Sequence, residues 1–141
     1  MNVYVDSSAL LRVILGEPGR LRIWPSITTA VASELIRLEC LRTIDRARVR
    51  LGLDDRSVAM YRADVLEAVD SFHLVALDST VLERASAPFP TLLGSLDAIH
   101  LASALLIRNE FEGLAFATHH DELGTAARAT GFQVHGMTRR G

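Results

Sequence analysis

The first fifteen residues, MNVYVDSSALLRVIL, decide the fold. Val3-Tyr4-Val5 is a β-branched and aromatic run that starts almost at the first residue, as a central strand would. Asp6 ends the run, and Ser7-Ser8 bring hydroxyls able to cap a helix. Ala9-Leu10-Leu11-Arg12-Val13-Ile14-Leu15 continues that helix until Gly16-Glu17-Pro18-Gly19 stops it. A strand that passes through one acid straight into a helix is the opening of a βα unit.

The same alternation repeats outward from there. A segment through Trp24 ends at Pro25, and Thr28 to Ala32 forms a second strand. Ser33 is placed to cap a long helix over Glu34 to about Arg50, and Gly52 with Asp54-Asp55 separates it from a helix reaching Val69. Phe72 to Leu77 reads as a third strand, followed by a helix capped at Asp78-Ser79-Thr80 and a loop from Phe89-Pro90 to Gly94. A helix from Ser95 to Asn109, a strand over Leu114–Ala117, a helix over Asp121–Thr130 and a strand over Phe132–Val134 complete the chain. Strands alternating with helices predict an α/β fold of three α/β/α layers around a central parallel sheet. The length of 141 residues suits one domain over 1–141. In such sheets ligands bind beyond the carboxyl ends of the strands, which directs attention to the acids there.

Asp6 follows the first strand, where it either caps the helix or serves a site; Ser7 and Ser8 could do the capping instead. Glu39 projects beside the apolar stripe of Leu35 and Ile36, free to pair with Arg42 on the surface or to turn inward. Glu34 is the weaker candidate, because the first helical turn attracts an acid through the dipole alone. The dipole also explains Asp97, but its helix, Leu96-Asp97-Ala98-Ile99-His100-Leu101-Ala102-Ser103-Ala104, is apolar almost all round. An acid on a buried helix needs a partner or a cation. His100 reads as a packed core histidine. Asp121, in Thr118-His119-His120-Asp121-Glu122-Leu123, either caps the last helix or joins the other acids. Gathered carboxylates raise one another's pKa unless a cation lies among them. Oxygen-only ligands favour Mg²⁺ or Mn²⁺ over Zn²⁺, and the chemistry best served is phosphoryl-ester cleavage.

The bulk properties narrow the setting. One cysteine, Cys40, excludes an intrachain disulfide and suits a reducing compartment. The opening residues lack the pattern of a signal peptide, and no apolar run suffices to span a bilayer, so a cytoplasmic protein is expected. The net charge of −2 gives no global attraction to nucleic acid. All 15 basic residues are arginine, with Arg37, Arg42, Arg46, Arg48 and Arg50 close together; they are either phosphate contacts or a solvated helix face. A mean hydropathy of +0.22 suggests an apolar patch left for a partner. A phosphorylated receiver domain would need a late lysine, and an Asp-x-Asp phosphatase an acid at Ser8. The chain has neither.

Four stretches resemble the motifs of PIN domains. Val3-Tyr4-Val5-Asp6-Ser7-Ser8-Ala9-Leu10 is similar to the first, and Ser33 to Arg42, with Glu39 in the acidic place, to the second. Leu96 to Ala104, around Asp97, is similar to the third, and Thr118 to Gly131 to the fourth. The match spans the whole chain, and its short form resembles VapC toxins of toxin–antitoxin pairs. The resemblance implies an RNA endonuclease in which a metal-bound hydroxide attacks the phosphodiester. It further implies Mg²⁺, or Mn²⁺ as the alternative, held by Asp6, Asp97, Glu39 and Asp121. A homodimer, a VapB-type antitoxin that blocks the site, and no direct DNA binding without that antitoxin are implied as well. One departure stands out: the familial spacing puts the fourth acid at His120, and Asp121 comes one place late. Either a local shift brings Asp121 in or His120 replaces the acid. A PIN domain that binds RNA or protein without cutting is the alternative function.

Overall fold

The computed structural model describes residues 1–138. Five parallel strands form one sheet in the order β3-β2-β1-β4-β5. They are β1 (Asn2–Val5), β2 (Thr29–Ser33), β3 (His73–Val75), β4 (Ala115–Ala117) and β5 (Val134–His135). Between them run α1 (Ser7–Ile14), α2 (Leu35–Leu51), α3 (Asp55–Asp70), α4 (Ser79–Ala85), α5 (Ser95–Ile107) and α6 (Asp121–Ala129).

Strand β1 is central, so both of its faces must be apolar, and its alternation divides them. Val3 and Val5 pack with Ala32, Ala115 and Ala117 against α1, α2 and α3. Tyr4 points the other way with Val31 and Phe116, against Leu101 and Ala104 of α5 and Leu123, Ala126 and Ala127 of α6. Tyr4 and Phe116 stack with ring centroids 5.1 Å apart. The two cores are the two outer interfaces of an α/β/α sandwich, as the alternation of elements predicts.

The edges depart most from the sequence reading. β3 covers three residues instead of the six expected, because it pairs on one side only, with β2, and Leu74 and Leu77 stay exposed. β5 begins two residues late. Phe132 is buried against Phe116, with the Arg108 guanidinium 3.8 Å over its ring, so packing holds it outside the ladder. Among the described residues no helix is long and apolar enough to cross a membrane.

The chain winds outward from β1 through β2 to β3, then crosses back to β4 and β5. The order therefore reverses between β1 and β4. At such a switch point the connections leave the sheet in opposite directions and open a crevice beyond the strand ends.

Candidate active site

Asp6 leaves β1 at this crevice and meets both possibilities raised by its position. Its Oδ1 accepts the Ala9 amide at 3.0 Å and caps α1, and it also accepts the Ser8 hydroxyl at 2.7 Å. Its Oδ2 accepts the hydroxyl of Thr118 at 2.8 Å, from the turn after β4. Ser8 Oγ in turn accepts the His119 amide, and Thr118 Oγ1 the His120 amide. Two hydroxyls thus lash the β1 and β4 turns together and fix a carboxylate that is almost completely buried.

Asp97 approaches from the first turn of α5, with its side chain a quarter exposed. His120, at the N-cap of α6, lies between the two acids. Its Nδ1 stands 3.4 Å from Asp97 Oδ1 and 4.0 Å from Asp6 Oδ2. The hydrogen bond with Asp97 raises the His120 pKa above its ordinary value. Burial opposes the rise, and the charges of Asp6, Asp97 and Glu39 add to it.

Glu39 enters from α2, at the edge of the stripe formed by Ile36, Cys40 and Ile44. It turns inward, while Arg42 pairs with Asp45 at 3.1 Å. Glu39 Oε1 accepts the Ser7 hydroxyl at 2.6 Å and His100 Nε2 at 2.5 Å. The His100 ring is buried, with Nδ1 3.0 Å from the Tyr4 hydroxyl, whose oxygen accepts the Ser33 amide at 3.1 Å. With that amide on its oxygen, Tyr4 gives its own proton to Nδ1, which leaves the His100 proton on Nε2 facing Glu39. Burial alone would push the Glu39 pKa up; the hydrogen bonds from His100 and Ser7 bring it below the ordinary value. Next door, burial and then the Glu39 charge push the Cys40 thiol up to about 12, so that thiol stays protonated.

Asp6, Glu39 and Asp97 therefore belong to one constellation, and Asp121 does not. Asp121 is exposed on the first turn of α6, and its carboxylate makes none of the hydrogen bonds or ion pairs among the described residues. The neighbouring His120 takes the inner place. Glu34 also lies outside, accepting the Leu77 amide at 3.2 Å. Sequence reasoning treated Ser7 and Ser8 as caps and His100 as packing, yet Ser7 and His100 hold Glu39 and Ser8 holds Asp6. Glu39 lies 32 residues from Ser7 and 61 from His100, too far for spacing to reveal. Ser8 is close to Asp6 in the chain, but its bond from the His119 amide spans 111 residues. Of the arginines on α2, Arg42 and Arg46 line a cleft of about 470 Å³ with Glu39 and His120, while Arg48 pairs with Asp55 on the surface.

The donor set suits a hard cation. Asp6 and Asp97 offer anionic oxygens on either side of His120, and Glu39 Oε2 has no partner among the described residues. No three such side chains of the described residues already close round one point. The two aspartates instead face the half-exposed His120 imidazole.

The family model for the PIN domain matches residues 3–122. The chain is 34% identical to Ribonuclease VapC47 of Mycobacterium tuberculosis (strain CDC 1551 / Oshkosh), over 92% of this chain and 93% of that protein. It is 30% identical to Ribonuclease VapC46 of Mycobacterium tuberculosis (strain ATCC 25618 / H37Rv), over 94% and 95%. The fold is similar to that of a toxin–antitoxin complex from Klebsiella pneumoniae, with a TM-score of 0.65, 15% identity and coverage of 98% and 97%. It is also similar to Mycobacterium tuberculosis VapC20, a sarcin–ricin loop cleaving toxin, with a TM-score of 0.62, 16% identity and coverage of 93% and 96%.

Proposed function

The chain belongs to the PIN-domain family, and on that premise we propose that it is a divalent-metal-dependent endoribonuclease, the toxin of a VapBC-type toxin–antitoxin pair. The observation that carries this reading is the meeting of Asp6 and Asp97 on one imidazole at the β1/β4 switch point. Like charges assembled so closely, in a rigid frame of hydroxyl and amide donors, are costly unless a cation is to bind there.

Asp6 and Asp97 would hold Mg²⁺ or Mn²⁺, with Glu39 assisting and His120 at the position of the fourth acid. The bound cation supplies Lewis acidity toward water and the phosphoryl oxygens. The chain's own groups do the rest. Thr118 and Ser8 fix both oxygens of Asp6, so this carboxylate needs no reorganisation when substrate arrives. Ser7 and His100 occupy one oxygen of Glu39 and keep it ionised, which leaves the other as a ligand or a proton acceptor. His120 is half exposed and stands at the mouth of the cluster, where substrate would enter.

A VapB-type antitoxin fits the cleft beside Glu39, where Leu35, Leu38 and Leu96 flank Arg42 and Arg46. Such walls suit an amphipathic segment carrying acids. The exposure of Val49, Leu51, Met60 and Leu92 supports a homodimer, working in the cytoplasm where its RNA is.

The test is the initial rate of RNA cleavage in EDTA, Mg²⁺ and Mn²⁺, for the wild type and Asp97→Asn. Cleavage that needs a cation and collapses in the variant is expected. RNA binding without cleavage under every condition would replace this reading with that of a non-cutting RNA-binding module.

A further inference from the structure

Strand β5 ends at His135, and Gly136 turns the chain at φ +98 against Thr118. A Cβ at Gly136 would lie 2.6 Å from the Thr118 carbonyl oxygen, so only glycine permits the approach. His119 Nδ1 donates to the Gly136 carbonyl at 2.7 Å and seals the same contact. This turn forms one wall of a cleft of about 700 Å³, separate from the cleft at Glu39. Thr118 is therefore shared: its hydroxyl holds Asp6, and its carbonyl backs the wall of the second cleft.

Arg20 and Arg22 line this cleft from the connection after α1, Arg128 from α6 and His135 from β5. No acid lines it. The three arginines are exposed, and none enters the ion pairs found among the described residues. Arg12 adds a fourth guanidinium at the rim, 3.4 Å from where a Cβ of Gly19 would stand. In the wall itself, His135 Nε2 is buried and lacks a hydrogen-bond partner among the described residues. The chain as a whole carries −2, so this face reverses the sign of the molecule beside its acids.

We propose that this arginine cleft is a phosphate subsite that holds the RNA strand next to the acid cluster, flanking the bond that is cut. The proposal rests on the nuclease reading. Three carboxylates repel a polyanion, so its affinity must come from cationic groups elsewhere along its path. Guanidinium forks match phosphate oxygens in pairs, and the volume is within the range of about 300–1,000 Å³ usual for pockets that enclose a small ligand. The shared Thr118 sets the subsite directly against the acids.

The experiment measures binding of a short fluorescent single-stranded RNA in EDTA, against salt concentration. It compares the wild type, the triple variant Arg20→Gln/Arg22→Gln/Arg128→Gln and the corresponding triple lysine variant. The glutamine variant should bind roughly tenfold or more weakly at low salt. Its slope of log affinity against log salt should shrink by about 2, three phosphates at about 0.7 each. The lysine variant should recover the slope, and melting curves should match throughout. With Mn²⁺, the glutamine variant should show a raised KM and a kcat close to that of the wild type. Unchanged affinity and slope in a protein whose wild type cleaves RNA would overturn the subsite and leave the nuclease reading intact. A wild type that neither binds nor cleaves RNA would overturn both. Loss of binding to a polyglutamate peptide with RNA binding retained would make the cleft a surface for an acidic protein, and the subsite would fall.

Discussion

His100 and His120 both touch the acids, one from inside the core and the other from the rim. The His100 ring is 1% exposed, bonded at both nitrogens and set edge-on to Tyr4. The His120 side chain is 56% exposed, and its contacts with Asp97 and Asp6 are 3.4 and 4.0 Å. The contrast separates two tasks within one cluster. On the Glu39 side a permanent internal donor keeps the acid charged and aimed. On the Asp97 side the facing group is an exposed ring in longer contacts, so this is the side open to a cation.

Removing charge from the open side should have the largest effect. Asp97→Asn is expected to lower the cleavage rate on the order of 10²–10³-fold, while metal-free stability stays the same or rises because one repelling charge is gone. Wild-type rates in that variant would strip the open side of its chemistry and end the comparison.

Stability should rank the two histidines in the opposite order. His100→Ala leaves a cavity and strips Glu39 and Tyr4 of a buried partner, a loss of about 2–4 kcal/mol. His120→Ala, at the rim, should stay within about 0.5 kcal/mol. Urea unfolding of both variants in EDTA checks this, and equal losses would mean that His120 is as much a part of the frame as His100.

A finer test separates His120 from its neighbour. If the inner place belongs to His120, His120→Ala should cut the cleavage rate roughly tenfold, as loss of a group that orients metal ligands does, and Asp121→Asn should leave it near wild type. A reversed ranking would show that α6 shifts to bring Asp121 in when substrate binds.

The smallest effect is one of pH. His120 titrates above its unfolded value, chiefly through the hydrogen bond with Asp97. Its contribution to metal-free stability is therefore complete below the unfolded pKa of about 6.5 and fades as pH rises through the higher folded value. On so exposed a ring the amount is below about 1 kcal/mol. The difference in unfolding midpoint between the wild type and His120→Ala should accordingly narrow from about pH 6 to pH 8.5. A difference that stays constant or widens would detach His120 from the aspartates.

Much of this was legible in the sequence, and the misses have physical causes. The α/β alternation and the central first strand followed from apolar periodicity, which acts within a few residues. The caps followed only in part, since the N-cap of α2 is Glu34, with no side-chain cap, instead of Ser33. Asp54 and Asp78 accept the amides of Ser57 and Val81, as their places before helices predict. The edge strands were misjudged because pairing and packing with distant residues set their length, as at β3 and Phe132. Asp6 and Asp97 stood out because an acid at a strand end or on an apolar helix demands an explanation. Ser7, Ser8 and His100 did not, since hydroxyls at a helix start and a histidine among leucines have ordinary local readings.

The sequence by itself determined the order of elements, the apolar faces and the inventory of acids, because these depend on neighbours along the chain. Only the tertiary structure decided which atoms meet. Thr118 reaches Asp6 across 112 residues, and His100 reaches Glu39 across 61. The choice between His120 and Asp121 is of the same kind. His120 is the extended N-cap of α6 and Asp121 its first residue. The point at which the turn after β4 becomes helix, with α6 seated by Leu123, Ala126 and Ala127 in the core, therefore sends the imidazole to the aspartates and the carboxylate to solvent.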